Sequence, residues 1–290
     1  MTRLNAPFPK VNFILFLIIL LCNTSLYASE SFFESNLFKD TNLTAHCHNI
    51  KATWDLPASH HYPYEANRVV WIEAETTRVI LEALVPKPLK INDDNSIIIY
   101  IGKFNITQPS QDSYHESGIL IPVTYKDSST GELKKSFFVS IMHLDKNLPI
   151  IGGRVIYGAN KYSAEISITE NENTISASVT NSGTTLIDMT VTLQNKVIDT
   201  VTDYNNDGWI AAKCKETENI EYAKFDTLNL ADVNNFKIHK FYSGEGKIKL
   251  GSNKLNPLGN IPLLKIKNAA FQIDSWILGD SLIIHNYTPH

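Results

Sequence analysis

The sequence predicts an α+β domain made mainly of antiparallel β-strands, with few helices and with the sheet closed or strongly curved into a cone or barrel. Three features of the chain support this fold class. Apolar and polar residues alternate over many short segments, as in strands that are buried on one face. Helical periodicity is confined to one short stretch. So many strands would leave exposed edges in an open sheet, and closure removes those edges.

The predicted elements begin with a strand over residues 69–73 and a helix over residues 79–84, which ends at the two prolines of the sequence VPKP. An alternating pattern on each side of the sequence TNSGT predicts a β-hairpin with strands at 175–179 and 189–193. The other predicted strands cover residues 96–104, 118–125, 135–144, 164–168, 209–215, 221–230, 236–242, 246–250 and 263–276.

The composition is that of an ordinary globular protein, with 43% apolar and 19% charged residues. This excludes a disordered chain, because the apolar content is sufficient for a full core. No linker rich in proline, glycine or serine divides the chain, and no internal repeat occurs. We therefore predict one domain over residues 60–290, preceded by an N-terminal extension over residues 29–59.

The first 28 residues have the pattern of a secretory signal peptide. Arg3 and Lys10 precede an apolar run from Phe13 to Cys22, and small and polar residues then lead to Ala28. The run is shorter than the ~20 residues that span a bilayer, so we predict cleavage near Ala28 and a periplasmic or secreted protein without a stable membrane anchor. An uncleaved anchor is the alternative. Cleavage leaves an acidic chain, which disfavours nucleic acid as a partner.

Two short motifs invite a metal-binding interpretation. The sequence HCH at His46–His48 has no second cluster with ligand spacing, so a loop is the better interpretation. Asp203–Gly208 has the spacing that opens a calcium-binding loop, but its twelfth position is Cys214 instead of the required glutamate. We assign no metal. Calcium at this turn and a disulfide between Cys47 and Cys214 stay open.

Four stretches of the chain carry motifs that occur together in one family. The first runs from the sequence NRVVWIEAE to the sequence VPKPL, over residues 67–89. The second is Tyr-x-Glu-Ser-Gly-x-x-Ile-Pro-Val at residues 114–123. The third joins Met-x-Leu-Asp to a Gly-Arg pair whose arginine stands seven residues before Lys161, and the fourth is a strand, loop and strand over 241–273. In this order, the motifs resemble the acetoacetate decarboxylase family.

The resemblance implies that a lysine amine attacks the ketone of a keto acid, and that the resulting iminium accepts electrons as carbon dioxide leaves. Lys161 occupies the position of that lysine, and Glu116 that of a catalytic carboxylate. Arg68 is expected to orient the substrate, and Tyr114 and Tyr162 to line its site. Free lysine has a pKa of about 10.4, so such an enzyme must keep the amine unprotonated by desolvation or by a nearby cation.

Two positions depart from the family pattern. Tyr162 stands where the family usually has a second lysine, and Tyr100 or Ile101 stands where it has a pocket glutamate. The expected function is therefore a Schiff-base decarboxylase acting on a small β-keto or 2-keto acid. The alternatives are an aldolase-dehydratase and a binding protein without turnover. The resemblance further implies a homo-oligomer, a small keto-acid ligand and no cofactor.

Each candidate side chain also has an ordinary structural interpretation. Lys161 could be a solvated residue at the start of a strand, because lysine is rarely buried. Glu116 could accept a hydrogen bond from a backbone amide. Arg68 could pair with Glu65 or Glu73, and Tyr162 could form part of the core.

Overall fold

The computed structural model describes residues 61–108, 113–197, 208–214 and 225–287, all within one compact unit. These residues form twelve strands, namely β1 (Tyr62–Glu75), β2 (Lys90–Ile91), β3 (Ser96–Phe104), β4 (Tyr114–Lys126), β5 (Leu133–Leu144), β6 (Lys161–Ser163), β7 (Glu165–Asn171), β8 (Thr174–Asn181), β9 (Thr184–Val197), β10 (Trp209–Cys214), β11 (Phe225–Leu250) and β12 (Lys265–Asn286). The helical elements are α1 (Arg78–Leu84), α2 (Asn147–Gly152), a π-helical turn (Gly153–Tyr157) and a 3-10 turn (Leu258–Asn260).

Several predictions concern residues outside this part of the chain. They are the signal peptide, the N-terminal extension, the sequence HCH with Cys47, and the turn before Gly208. These stay predictions, and so does the domain boundary at residue 60.

The strands form one sheet in the order β10-β5-β4-β3-β1-β12-β11-β9-β8-β7. Strand β10 also pairs with β11, so seven strands close into a ring, with β9, β8 and β7 continuing from β11. The pairings within the ring are antiparallel except for that of β10 with β5. The predicted fold class, mainly antiparallel strands with few helices, is thereby confirmed.

Helix α1 forms where the sequence changes from strand to helical periodicity. Thr77 caps its first turn, since its hydroxyl oxygen accepts a hydrogen bond from the Ile80 amide at 3.4 Å. Three apolar residues at helical spacing, Ile80, Leu81 and Leu84, are buried. The helix therefore follows β1 almost directly and buries one apolar face.

The central strands of the sheet are buried on both faces. In β4, Tyr114 and Glu116 point into the ring, whereas Ile119 and Ile121 lie on the other face and are also fully buried. A polar side chain on either face is therefore removed from bulk water. Burial of this kind is costly unless the group has a hydrogen-bond partner.

Two parts of the sequence prediction need correction. The strands predicted at 221–230, 236–242 and 246–250 are, from Phe225 onward, one continuous strand, β11, whose irregular register toward β12 is accommodated by bulges. The helical residues 147–157 are not anticipated by the sequence pattern. Within the described ranges, no helix has the length and hydropathy needed to span a membrane.

Candidate active site

A π-helical turn and a glycine place Lys161 inside the ring. The turn ends at Gly158, which has a φ of +76°, and a Cβ there would lie 2.5 Å from the Cβ of Lys213. Glycine is therefore required at this reversal of the chain. Strand β6 then pairs in parallel with β5, with Lys161 beside Met142. Lys161 is only 6% exposed, which excludes the solvated interpretation.

The Gly-Arg pair of the third motif fixes this lysine in two ways. A Cβ at Gly153 would lie 2.4 Å from Cε and 2.8 Å from Nζ of Lys161, so any side chain there would displace the end of the lysine side chain. The guanidinium of Arg154 donates through Nε to the Lys161 carbonyl oxygen at 2.8 Å. One residue therefore makes space for the side chain, and the other holds the backbone that carries it.

Lys161 forms a buried ion pair with Glu116. Its Nζ donates to Oε2 of Glu116 at 2.9 Å, and Glu116 is also 6% exposed. The other carboxylate oxygen, Oε1, accepts a hydrogen bond from the hydroxyl of Tyr100 at 2.7 Å. Both oxygens of Glu116 are thus engaged, as a buried carboxylate requires. The structure thus places both residues, which the sequence led us to expect at one site, at the same cavity.

Tyr100 is a neutral donor in this arrangement. Burial, together with the adjacent Glu116, raises the pKa of Tyr100 well above its ordinary value, so its hydroxyl keeps its proton. Gly118 lies opposite it on β4, and a Cβ there would come within 2.6 Å of the tyrosine ring. The glycine of the second motif therefore admits the ring that orients the carboxylate.

Two further tyrosines line the same cavity as Lys161, Glu116 and Tyr100. The hydroxyls of Tyr64 and Tyr114 lie 3.3 Å apart, and both side chains face the same cavity. Burial raises the pKa of both residues. Tyr114 therefore occupies the place expected of a substrate-binding residue, whereas Tyr64 was not anticipated from the sequence.

The cavity inside the ring has a volume of about 270 Å³ and receives side chains from all seven ring strands. Its lining is mostly apolar and aromatic, with Val69, Trp71, Ile98, Phe104, Leu120, Phe137, Val139, Met142, Trp209, Val233, Phe236, Ile238, Trp276 and Leu278. An apolar lining lowers the local dielectric, so the electrostatic interactions of Lys161 and Glu116 are stronger there than in bulk water.

A second buried carboxylate, Asp274, lies on the wall formed by β12. It is 2% exposed and accepts hydrogen bonds from the Asn67 side-chain amide at 2.9 Å and from that of Gln272 at 2.6 Å. Burial raises the pKa of Asp274. Sequence reasoning missed this residue, although the polar side chains in the apolar stretch AAFQIDSW were a usable signal.

Two expected substrate-binding residues lie elsewhere. Arg68 is on the face of β1 opposite to Val69, and its guanidinium forms an ion pair with Glu170 at the surface, 38% exposed. The alternative partners Glu65 and Glu73 are not used. Tyr162 follows Lys161 directly in a strand, so its ring points the other way. It lies 6.0 Å from the ring of His143 and does not line the cavity.

The comparisons with known proteins agree with this fold. The family model for acetoacetate decarboxylase matches residues 50–288, and the chain belongs to that family. Acetoacetate decarboxylase 3 of Mesorhizobium japonicum is 36% identical over 110 residues, which are 37% of this chain and 39% of that protein. The acetoacetate decarboxylase of Burkholderia vietnamiensis is 23% identical over 227 residues, 78% of this chain and 89% of the relative.

Two solved structures share the fold. The acetoacetate decarboxylase of Legionella pneumophila superposes with a TM-score of 0.68 at 19% identity and covers 84% of this chain and 96% of its own. The enduracididine biosynthesis enzyme MppR, complexed with pyruvate, superposes with a TM-score of 0.65 at 12% identity. The match covers 82% of this chain and 95% of MppR. At sequence identities this low, the superpositions show a shared fold only.

Proposed function

We propose that this protein is a Schiff-base-forming carbon–carbon lyase that decarboxylates a β-keto acid through Lys161. The observation that supports this most directly is the buried contact of 2.9 Å between the Lys161 amine and Glu116 at the apolar cavity. A buried lysine that is hydrogen-bonded to a carboxylate forms a nucleophile with its own base. Family membership agrees with this chemistry.

The first step forms the iminium. Glu116 takes a proton from the ammonium group of Lys161, and the freed nitrogen attacks the ketone carbon of the substrate. The carbinolamine then loses water, with Glu116 returning the proton to the departing oxygen. Tyr100 holds the carboxylate in place throughout, because it donates to the oxygen that Lys161 does not contact.

The second step breaks the bond between the carboxylate carbon and the α-carbon. The electron pair of that bond moves into the iminium, so carbon dioxide and an enamine form without any external oxidant or reductant. The apolar lining favours this step, because a charged carboxylate leaves as a neutral gas. Protonation of the enamine carbon and hydrolysis by water release the ketone and restore Lys161.

An aldolase-dehydratase reaction on a 2-keto acid is the second candidate. The fold that this chain shares with MppR, which was solved in complex with pyruvate, favours it. The iminium formed between Lys161 and the 2-keto acid would then lose an α-proton, and the resulting enamine carbon would attack the aldehyde carbon. A site that binds a small carbonyl compound without turnover is the remaining alternative.

Product analysis separates these candidates. The protein is incubated with acetoacetate, and separately with pyruvate plus an aldehyde. Equal amounts of carbon dioxide and ketone indicate decarboxylation, and a condensed acid indicates the aldol reaction. Lys161→Met should abolish either reaction. Turnover by Lys161→Met, or no product from any keto acid, would contradict the proposal.

We also propose that the protein is exported and self-associates. The signal-like pattern of residues 1–28 supports export, and family membership supports a homo-oligomer. N-terminal sequencing of the mature protein should begin near Ser29, and a chain that begins at Met1 would contradict cleavage. Light scattering should give a mass of at least two mature chains, and the mass of a single chain would contradict self-association.

A further inference from the structure

The cavity is larger than a four-carbon keto acid requires. An apolar protein cavity of about 150 Å³ accepts benzene, which has six carbon atoms. Acetoacetate has about seven non-hydrogen atoms, whereas the cavity beside Lys161 has a volume of about 270 Å³. Acetoacetate bound to the lysine would therefore leave a large part of the apolar space unfilled.

The unfilled space lies between Lys161 with Glu116 and the opposite wall of the cavity. Glu116 is on β4, and both β11 and β12 lie three strands away around the ring of seven. These two strands contribute Val233, Ile238 and Leu278 to the cavity lining. Phe236, also on β11, lines the cavity and is 38% exposed, so the apolar wall continues to the surface.

The charges of the lining restrict what this wall can accept. Among the described residues that line the cavity, Lys161 is the only cation, and its amine is used for the iminium. Arg68 is occupied by Glu170 outside the cavity. Asp274 adds a carboxylate beside the apolar wall. A second carboxylate on the substrate would lack a cation there and would be repelled, whereas an uncharged chain would gain apolar contacts.

We propose that the substrate is a 3-oxo acid whose ketone carries an apolar group larger than methyl, about five carbon atoms long by this volume scale. The ketone carbon lies at Lys161, and the apolar group extends along Val233, Ile238 and Leu278 toward Phe236. This inference rests on the proposed function, because it assigns the substrate class of the same site. The reaction is otherwise unchanged, and the product is a longer methyl ketone.

Binding of unreactive ligands tests the apolar wall without any chemistry at Lys161. The probes are the 2-alkanols from 2-butanol to 2-octanol, which have no carbonyl group and form no iminium. Trp71, Trp209 and Trp276 line the cavity, so their fluorescence reports binding. Each added methylene should tighten Kd about fourfold. A Kd that does not depend on chain length would overturn the inference.

A variant that fills the far wall tests the same point through selectivity. The kcat/KM for 3-oxooctanoate should exceed that for acetoacetate by at least tenfold in the wild-type protein. Val233→Trp should lower this ratio at least tenfold, because the larger side chain occupies the space of the substrate chain. The matched control is Val79→Trp on the exposed side of α1, which should leave the ratio unchanged.

The outcomes separate the two claims. Turnover of acetoacetate without any preference for longer chains, or an unchanged ratio in Val233→Trp, would overturn the substrate class and leave the lyase intact. Chain-length-dependent binding of the alkanols, with no turnover of any 3-oxo acid, would instead contradict the proposed reaction while supporting the apolar wall.

Discussion

Replacement of Gly153 by alanine should remove the reactivity of Lys161 without touching a functional group. A Cβ at this position would lie 2.4 Å from Cε, 2.6 Å from Cδ and 2.8 Å from Nζ of Lys161. Carbon atoms in contact lie about 3.5–4.0 Å apart, so Cε must move by about 1 Å or more. The amine would then leave its position beside Glu116.

The expected loss is large in activity and moderate in stability. A displacement of about 1 Å costs roughly 100-fold in rate when a reacting group is misplaced, so kcat/KM should fall by about that factor. Overpacking typically costs about 1–3 kcal/mol in the free energy of unfolding. Urea unfolding measures the second quantity, and keto-acid turnover measures the first.

The neighbouring glycine supplies a matched control. Gly152 has a helical φ of −57°, and a Cβ there would meet nothing within 4 Å. Gly152→Ala should keep full activity and gain about 0.4–1 kcal/mol, because alanine reduces the entropy of the unfolded chain. Full activity in Gly153→Ala, or equal losses in both variants, would refute the argument that residue 153 makes room for the lysine.

Three other predictions concern the buried polar groups. Burial lowers the pKa of His143 from 6.5 to about 4, so its contribution to the free energy of unfolding, about 3 kcal/mol, is present above pH 6.5 and lost as the pH falls toward 4. Urea unfolding between pH 4 and 7 should show this slope, and His143→Gln should remove it. Tyr100→Phe removes the donor to Glu116 and should cost about 1–3 kcal/mol together with a fall in kcat; unchanged values would exclude the positioning role. Lys161→Met leaves Glu116 buried and unpaired and should cost about 3–5 kcal/mol, most of which Glu116→Gln in the same chain should restore. Additive losses in the double variant would contradict a direct pairing.

The strand content of the fold was predictable from the sequence, because side chains alternate visibly along most strands. The alternation of side chains did not predict the elements whose course depends on local backbone geometry. Strand β11 continues through Asn235, which has a φ of 54°, and the bulges on either side break the alternation without ending the strand. Helix α2 contains Pro149 in its first turn, where proline is tolerated. In a sequence alone, such a proline is more readily taken as the end of a helix than as part of one.

The sequence led us to expect Lys161 and Glu116 at one cavity, but it did not reveal the residues that surround them. The motifs place Lys161 and Glu116 in one site, although 45 residues separate them. Arg68 was expected in the same site, but the alternation of a strand turns its side chain outward when Val69 faces inward. The partnership of Tyr100 with Glu116 depends on the register of β3 against β4, which a single sequence does not reveal.

The central claim is that Lys161 forms an iminium with a keto acid, and borohydride trapping tests it most directly. The mature protein is incubated with acetoacetate, 3-oxooctanoate or pyruvate, reduced with borohydride and digested. Peptide mass spectrometry should then find a secondary amine on the peptide that contains Lys161, and none in Lys161→Met. An adduct on another lysine only, or no adduct with any of these acids at neutral and alkaline pH, would contradict the account.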